Sequence, residues 1–286
     1  MIKRLCIIGV GLIGGSLARA LKQKQACDEV VGTGRQVQNL QKALDLGVID
    51  RFETDISLAV KGADMVVVAV PVGSMEAVFR QIKPHVTANT IITDVGSTKR
   101  SVEQAARQVW GELPATFVPA HPIAGTEKSG VEASFPELFH KRRVIITPTN
   151  TSSMAAIETV KSMWELTGAD VVEMEIDHHD QVLAATSHLP HLLAFTLVDT
   201  LSRMDDKAEI FEFAAGGFRD FTRIASSDPD MWRDICLSNS GAILQMLDRF
   251  VDDLERLGAA IKANDQAYVM SVFSRAKQAR DGFCNR

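Results

Sequence analysis

The sequence predicts an α/β protein in which a doubly wound, mostly parallel sheet is followed by an all-helical domain. In the first 176 residues, short β-branched runs alternate with amphipathic stretches. After about residue 176 the strand-like runs stop, and long helical periodicity replaces them. Repeated alternation of strands and helices is typical of a parallel sheet with helices on both faces. We therefore expect one domain over 1–176 and a helical domain over 177–286.

The predicted elements follow each other in a regular order. β-branched and apolar runs predict strands over 4–8, 29–31, 65–70, 90–94, 115–119, 143–147 and 170–174. Amphipathic periodicity predicts helices between them over 16–25, 38–46, 75–82, 100–108 and 152–166. In the second half it predicts helices over 178–203, 206–215 and 229–262, with a tail over 265–281. We expect all the strands to belong to one sheet layer.

The predicted helix over 229–262 also indicates a partner. Asp228 can cap it, Pro229 suits its first position, and Asp230 lies at the positive end of the helix dipole. Its apolar stripe continues for about 30 residues, which is nearly 50 Å at roughly 1.5 Å per residue. One small domain does not cover such a length, so we expect the helical domain to form a homodimer.

Composition and charge exclude several classes of partner. The chain has 286 residues, with 31 Lys and Arg against 36 Asp and Glu, and a net charge of −5. We therefore expect no binding to nucleic acid or to an anionic membrane surface. The four cysteines lack CxxC spacing and indicate reduced thiols in a cytoplasmic protein. His178, His179, His188 and His191 are close in sequence, but without Cys or HExxH partners we expect no metal site.

A glycine-rich turn follows the first predicted strand and opens a helix. Gly9 makes the turn, Gly11 lets the backbone approach a pyrophosphate, and Gly14 lets the helix pack on the strand. The N–H groups of Leu12 and Ile13, at the helix start, would then face the phosphates. In this position the G-x-G-x-x-G pattern predicts a Rossmann-type dinucleotide-binding domain. The alternative is a merely structural glycine-rich turn.

Residues after the second predicted strand indicate which dinucleotide binds. An acidic residue usually stands there to hold the ribose hydroxyls of NAD, but this strand ends without a carboxylate. Gly34 and Arg35 stand in its place. An arginine there can pair with a 2′-phosphate, which favours NADP over NAD, and the alternative is a solvated arginine on a loop. Val70 and Pro71, at the third strand–helix corner, should line the cofactor site through their backbone.

Polar residues follow the next two predicted strands, at the edge where doubly wound folds bind ligands. Ser97 and Lys99 follow the strand over 90–94, and Lys99 is equally compatible with a solvated charge at a helix start. His121 follows the strand over 115–119. Beside a nicotinamide it is a natural general base, with an expected pKa near 6–7. The alternative for His121 is a hydrogen-bonded structural residue.

The helical half adds two clusters. Pro190 lies between two histidines and must distort its helix, which frees backbone groups. The segment 216–225 begins with two glycines and mixes aromatic with charged residues, which indicates a loop turning into a cavity. Arg223 or Arg219 could offer a planar fork to a substrate carboxylate. The alternative is an ordinary surface ion pair with Asp220.

Five segments carry these motifs in order along nearly the whole chain. They are GVGLIGGSLARAL at 9–21, DVGSTK at 94–99, HPIAGTEKSG at 121–130, SHLPHLLA at 187–194 and GGFRDFTRIASSDPDMW at 216–232. Together they resemble the prephenate/arogenate (cyclohexadienyl) dehydrogenases of tyrosine biosynthesis. The resemblance implies a Rossmann-type domain, a helical dimerisation domain and NAD(P)-dependent oxidative decarboxylation of prephenate or arogenate.

The resemblance also implies roles for single residues. His121 would partner the C4 hydroxyl of the substrate, with Ser97 as a second hydrogen-bonding group. Arg223 would hold the ring carboxylate, and His191 would lie by the substrate side chain. Asp220 would reach the site of the neighbouring subunit. The family's active-site motifs also include Thr126, Glu127 and Trp232.

Some functional alternatives stay open. Prephenate and arogenate differ only in a side-chain keto or amino group, and the sequence does not separate them. A β-hydroxyacid or imine-type dehydrogenase shares this architecture, but such enzymes typically use a lysine of the helical domain, and 177–206 contains none. A regulatory protein that binds NADP without turnover is a third possibility.

Overall fold

The computed structural model describes residues 2–284. The strands are β1 (Ile2–Ile8), β2 (Cys27–Thr33), β3 (Arg51–Glu53), β4 (Met65–Val68), β5 (Ile91–Asp94), β6 (Ala120–Pro122), β7 (Arg143–Ile146) and β8 (Asp170–Glu173). The helices are α1 (Leu12–Gln23), α2 (Val37–Asp45), α3 (Ile56–Val60), α4 (Met75–Ile82), α5 (Arg100–Trp110), α6 (Met154–Glu165), α7 (Ile176–Leu183), α8 (Leu189–Ser202), α9 (Lys207–Glu212), α10 (Gly216–Thr222), α11 (Pro229–Ser238), α12 (Ser240–Lys262) and α13 (Gln266–Cys284).

The chain forms two compact units, one up to Ser240 and the other from Gly241 onward. In the described residues the last strand ends at Glu173, and helices follow from Ile176. The change from strands to helices is therefore where the sequence predicts it. The domain boundary at 176/177 stays a prediction, because the first compact unit contains the sheets together with α7 to α11.

The first five strands form a parallel sheet in the order β3-β2-β1-β4-β5. Alternate residues of β1 point to opposite faces. Leu5 and Ile7 join one apolar cluster with α1 and α6, while Cys6 and Ile8 join another with α4 and α5. All four side chains are buried, as expected where helices cover both faces of a sheet. The predicted doubly wound sheet is confirmed for this part of the chain.

The remaining strands form a separate three-stranded sheet, so the expectation of a single layer was wrong. β6 pairs antiparallel with β7, and β7 pairs parallel with β8. The predicted strand over 115–119 meets the first sheet through an isolated bridge between Phe117 and Ile92. Pro119 has no N–H to donate to a ladder, but its carbonyl accepts from the Thr147 N–H. The chain therefore passes from one sheet to the other at this residue.

Helices α7 and α8 form one run that is interrupted by a π-helical turn over Ala184–His188. The turn ends two residues before Pro190, so the predicted distortion is confirmed. By length and composition, the run Ile176–Ser202 would suffice to cross a membrane. Within this run, His179 and Asp180 are buried and hydrogen-bonded to each other.

The helix predicted over 229–262 is in fact two helices, α11 and α12, because the chain breaks at Asn239. Asn239 leaves helical geometry (φ −120°, ψ 30°), and its Nδ2 donates to the Asp180 carbonyl at 2.8 Å and contacts His188 Nδ1 at 3.2 Å. The helix start is as predicted, with Asp228 as the cap. α12 has 23 residues, which is about 35 Å rather than 50 Å.

The segment 216–225 was expected to be a loop, and this was also wrong. It forms α10 followed by a 3-10 turn over Arg223–Ser226. Gly216 and Gly217 occupy the first two positions of α10. Glycine weakens a helix mainly in its interior, so two glycines at the start do not prevent the helix from forming.

Candidate active site

The glycine-rich turn after β1 has the geometry of an anion cradle. Gly9 has a φ of +97°, and a Cβ there would lie 2.3 Å from the backbone oxygen of the residue after β4. A Cβ on Gly14 would lie 2.5 Å from the Gly9 oxygen, so α1 packs directly on the turn. The space around Gly11 is open, and α1 begins without a side-chain cap or an acidic residue in its first turn. The first N–H groups, those of Leu12 and Ile13, are therefore left for a pyrophosphate, and the residues fit a dinucleotide.

Three other predicted residues lie at the same edge of the parallel sheet. Val70 and Pro71 follow β4, which pairs with β1, and Ser97 follows β5, which pairs with β4. Val70 and Ser97 are half-buried, and Pro71 is exposed. The strand order changes direction between β1 and β4, and ligands of doubly wound sheets bind in the crevice at such a point.

Arg35 lies exposed two residues beyond the end of β2, next to the half-buried Gly34. β2 itself ends without a carboxylate, but Glu53 ends β3 directly opposite Thr33. The Glu53 Oε1 accepts from Arg51 Nη1 at 2.8 Å. A carboxylate thus stands near the end of β2 after all, already engaged by an arginine. Sequence reasoning missed it because β3 is too short to show a pattern.

His121 is the first member of a buried chain of hydrogen bonds. Its Nδ1 lies 2.9 Å from His179 Nε2, and His179 Nδ1 lies 2.8 Å from Asp180 Oδ1. The Asp180 carboxylate also accepts from the backbone N–H groups of Lys99 at 2.8 Å and Arg100 at 3.0 Å. This series of hydrogen bonds therefore runs from β6, which carries His121, through α7 to the start of α5.

Lys99 is fully buried, so a solvated charge at a helix start is the wrong interpretation of it. Its Nζ lies 2.5 Å from Asp94 Oδ2 and 2.7 Å from the carbonyl of Ala120. Asp94 in turn accepts from the Ala120 N–H at 3.3 Å. Burial lowers the pKa of Lys99, while the carboxylates of Asp94 and Asp180 raise it. These bonds tie the loop that carries Ser97 to the residue before the candidate base.

Burial dominates the electrostatics of His121. It lowers the pKa of His121 well below 6.5, and the charges of His179, Lys99 and His188 lower it further. The imidazole is therefore neutral at pH 7, which is the state that a general base needs. The pKa of 6–7 expected from the sequence was wrong, because His121 is only 8% exposed and a charged imidazole there would lose its hydration.

A second aromatic cluster joins two predicted residues of the helical half. His191 and Trp232 stack with ring centroids 3.7 Å apart and planes at 18°. The His191 Nδ1 donates to the Ser187 carbonyl at 2.9 Å. His188 packs edge-on against the same indole, with centroids 6.1 Å apart. The Trp232 Nε1 and the His188 Nε2 are buried without a hydrogen-bond partner in the described part of the chain, so a polar group of a ligand would satisfy them.

Arg223 and Glu127 form an ion pair across 96 positions of sequence, between Nη1 and Oε1. Both side chains are exposed, at 63% and 39%. The pair replaces the alternative that paired Arg223 with Asp220, which lies exposed on α10. Thr126 is also exposed, and its hydroxyl accepts from the Lys128 N–H. Burial lowers the pKa of His191, and the charge of Arg223 lowers it further. The hydrogen bond to the Ser187 carbonyl acts in the opposite direction and raises this pKa.

Comparison with known proteins places the chain in a family. Residues 17–173 match the nucleotide-binding domain of prephenate dehydrogenase, and residues 175–275 match its dimerization domain. This chain belongs to the prephenate dehydrogenase family. It is 40% identical to a cyclohexadienyl dehydrogenase of Zymomonas mobilis, over 97% of this chain and 95% of the relative. It is 37% identical to a prephenate dehydrogenase of Bacillus subtilis, over 97% of this chain and 75% of the relative.

Solved structures of family members share the whole fold. The prephenate dehydrogenase from A. aeolicus, in complex with hydroxyphenyl propionate and NAD+, superposes with a TM-score of 0.91 at 35% identity, over 98% of each chain. The Synechocystis arogenate dehydrogenase gives a TM-score of 0.82 at 25% identity, over 98% and 99%. The predicted fold class and family are therefore confirmed.

Sequence reasoning considered His179 only as a metal ligand and did not mention Asp180, although a signal for both exists. Together with Ile176 and Leu183 they recur at the spacing of one helix face, and all four are buried. Two ionisable side chains on an apolar face require partners. Among residues 2–284, no group of three or more His, Cys, Asp or Glu side chains is arranged to hold a metal ion.

Proposed function

We propose that this protein catalyses the NAD(P)-dependent oxidative decarboxylation of prephenate, arogenate or both, giving 4-hydroxyphenylpyruvate, tyrosine or both. Membership of the prephenate dehydrogenase family over nearly the whole chain supports this reaction. The structural observation that carries the proposal is His121. It is a buried, neutral imidazole held by His179, and the carbonyl of the residue before it accepts a hydrogen bond from Lys99, at the end of the loop that follows β5.

In this reaction the protein must move one proton, that of the C4 hydroxyl. The nicotinamide cofactor, when bound, accepts the hydride from C4 of the substrate. His121 takes the proton of the C4 hydroxyl through Nε2, which makes no hydrogen bond to the described residues, and Ser97 offers a second hydrogen bond to that hydroxyl. The ring carboxylate then leaves as CO2, the electron pair of the broken C–C bond makes the ring aromatic, and the C4 oxygen takes its proton back from His121 to give the phenol. The driving force therefore resides in the substrate. The protein supplies orientation and the base.

Substrate binding is assigned to the exposed and aromatic groups of the site. Arg223 holds the ring carboxylate, with Glu127 and Thr126 beside it on the loop after β6. His191 lies by the substrate side chain and is held flat against Trp232. Asp220, which is exposed on α10, reaches the site of the neighbouring subunit.

For the cofactor, we propose a preference for NADP over NAD. Arg35 is exposed beyond β2 and free to approach a 2′-phosphate, whereas the nearby Glu53 is engaged by Arg51. Gly34, Val70 and Pro71 would line the same site through their backbone.

A homodimer is the proposed assembly, and its surface is assigned to the second compact unit. Six large apolar side chains of α12 and α13 are more than half exposed: Leu244, Leu254, Ile261, Met270, Phe273 and Phe283. Exposed apolar rows of this kind mark a contact with another protein. Light scattering at micromolar concentration should give twice the chain mass, and a monomeric mass would contradict the dimer.

Steady-state kinetics with both substrates crossed with both cofactors test the function directly. We expect the absorbance at 340 nm to rise with prephenate or arogenate and to be accompanied by CO2 release. Cofactor binding without any rise at 340 nm would instead support a regulatory protein. Turnover of a β-hydroxyacid, with prephenate and arogenate inert, would support the other dehydrogenase class.

A further inference from the structure

We propose that His179 and Asp180 are positioning residues that hold His121 in the one neutral tautomer able to accept a proton at Nε2. The inference rests on the proposed function, since it concerns the base of that reaction. It starts from three hydrogen bonds in series, all between buried groups: His121 to His179, His179 to Asp180, and Asp180 to the start of α5.

The direction of these bonds is set at the Asp180 end. Burial opposes the ionisation of Asp180, but the hydrogen bonds from His179, Lys99 and Arg100 outweigh it and lower its pKa below 3.8. An ionised carboxylate can only accept hydrogen bonds. Since Asp180 Oδ1 lies 2.8 Å from His179 Nδ1, this ring nitrogen must carry its proton.

The protonation state of His179 then determines which nitrogen of His121 carries a proton. Burial lowers the pKa of His179, so the ring is neutral at pH 7 and its Nε2 is an unprotonated acceptor. His121 Nδ1, 2.9 Å away, must therefore donate. A neutral imidazole with a protonated Nδ1 has a lone pair on Nε2, which is the nitrogen available to the substrate hydroxyl.

The surrounding charges are compatible with this order. Lys99, which is paired with Asp94, disfavours a second proton on the ring of His121 and on that of His179. At His121, the charge of His188 has the same effect. At His179, the charge of Asp94 favours a second proton, and so do the hydrogen bond and the charge of Asp180. When His121 becomes an imidazolium during the reaction, its Nδ1–H still points at an acceptor that is backed by this carboxylate. The arrangement follows the logic by which the aspartate of a catalytic triad orients its histidine.

Two substitutions at His179 separate tautomer control from packing. His179→Phe keeps a flat ring but removes the acceptor, so His121 is no longer held in one tautomer. We expect kcat to fall by about 10²-fold, the lower end of what general-base catalysis contributes, with KM nearly unchanged. His179→Gln offers an amide oxygen near the position of Nε2 and should restore most of kcat. His178→Gln, an exposed neighbour on the same helix, is the matched control and should behave as wild type.

Nitrogen-15 spectra of the histidine rings report the tautomer itself, without any turnover. The chain has seven histidines, and the His121 signals are identified by their loss in His121→Asn. In the wild type, we expect a protonated Nδ1 and an unprotonated Nε2 for His121, and a mixture or the reverse in His179→Phe. A protonated Nε2 in the wild type, or equal kcat for His179→Phe and His179→Gln, would overturn the proposal.

The two levels of inference fail separately. If the wild type turns over neither prephenate nor arogenate, the proposed function is wrong, while the spectra still decide the tautomer. If the wild type is active and the spectra or the rescue fail, only the positioning role is wrong. Should His179→Phe not fold, the wild-type spectrum and the His179→Gln variant carry the test.

Discussion

The candidate site contains two ion pairs that differ in nearly every physical respect. Lys99 and Asp94 are both fully buried, 2.5 Å apart, and each makes further hydrogen bonds to the backbone. Arg223 and Glu127 are both exposed, and they come from segments 96 residues apart. The first pair lies among groups that cannot move without leaving a charge unpaired. The second lies in contact with water.

This difference indicates two different tasks. Breaking a buried ion pair leaves an uncompensated charge and typically costs about 3–5 kcal/mol. An exposed pair is typically worth about 0–1 kcal/mol. The buried pair therefore suits the fixed geometry around His121, whereas Arg223 can exchange Glu127 for a substrate carboxylate at little cost. Substitutions in the buried region should therefore have larger effects than substitutions in the exposed region.

The largest effect is expected at the base held by the buried region. His121→Asn keeps a hydrogen-bonding side chain but removes the proton acceptor. Because the proton moves during hydride transfer, the loss should appear in kcat, by about 10²–10⁴-fold, with KM changed little. Stopped-flow and steady-state measurements at 340 nm report both constants. A raised KM with kcat intact would show that the proton goes elsewhere.

The pH profile of kcat sharpens the same prediction. Neutral His121 is the active form, and protonation removes the base, so kcat should fall as pH decreases through the pKa of His121. Since burial lowers this pKa well below 6.5, the acid limb should lie below pH 6.5 and should be absent in His121→Asn. A limb at pH 6.5 or above in the wild type would contradict the burial argument.

The buried pair should matter for folding in a way that the exposed pair does not. Lys99→Met removes the cation and leaves the Asp94 carboxylate buried without it, so the free energy of unfolding should fall by about 3–5 kcal/mol. Arg223→Met is the matched control, and it should change this free energy by less than about 1 kcal/mol. Urea denaturation of both variants checks the contrast. Equal losses would mean that the two pairs are not physically distinct.

Sequence reasoning predicted best where the cause is local. Gly9 and Gly14 were assigned a turn and a close helix approach, and the structure has both, because the constraint lies in the residue type itself. The cap at Asp228 and the distortion before Pro190 follow for the same reason. β3 and α3, with three and five residues, are too short to show any periodicity.

Where the cause is distant along the chain, sequence reasoning failed. Asn239 ends α11 while bonded to Asp180 and His188, more than 50 residues away, so the apolar stripe alone predicts an unbroken helix. Lys99 stayed undecided because burial depends on the β6 strand and the carbonyl of Ala120. The pKa of His121 was misjudged because it depends on the groups that cover the ring.

In the exposed region, Arg223→Ala should affect binding more than chemistry. The guanidinium attracts a carboxylate whose charge disperses as CO2 departs, so its interaction does not grow towards the decarboxylation transition state. A charged hydrogen bond contributes about 1.5–3 kcal/mol, which predicts a rise in KM of roughly 10- to 100-fold with a smaller fall in kcat. Arg203→Ala, another exposed arginine that pairs with Asp199, is the control. A loss confined to kcat would assign Arg223 to the chemical step instead.

The smallest effect is expected at Arg35, which is exposed on the loop after β2. If its guanidinium pairs with a 2′-phosphate, Arg35→Ala removes a contact that only NADP+ can make. The KM for NADP+ should then rise by about 5- to 10-fold, the lower range for a charged hydrogen bond at an exposed position, while the KM for NAD+ should stay within about twofold. Arg35→Lys keeps the charge but loses the planar fork, so its KM for NADP+ should be intermediate. Equal changes for both cofactors would mean that Arg35 does not recognise the 2′-phosphate. The choice between NAD and NADP would then depend on other groups at this strand edge, of which Glu53, opposite the end of β2, is the first to substitute.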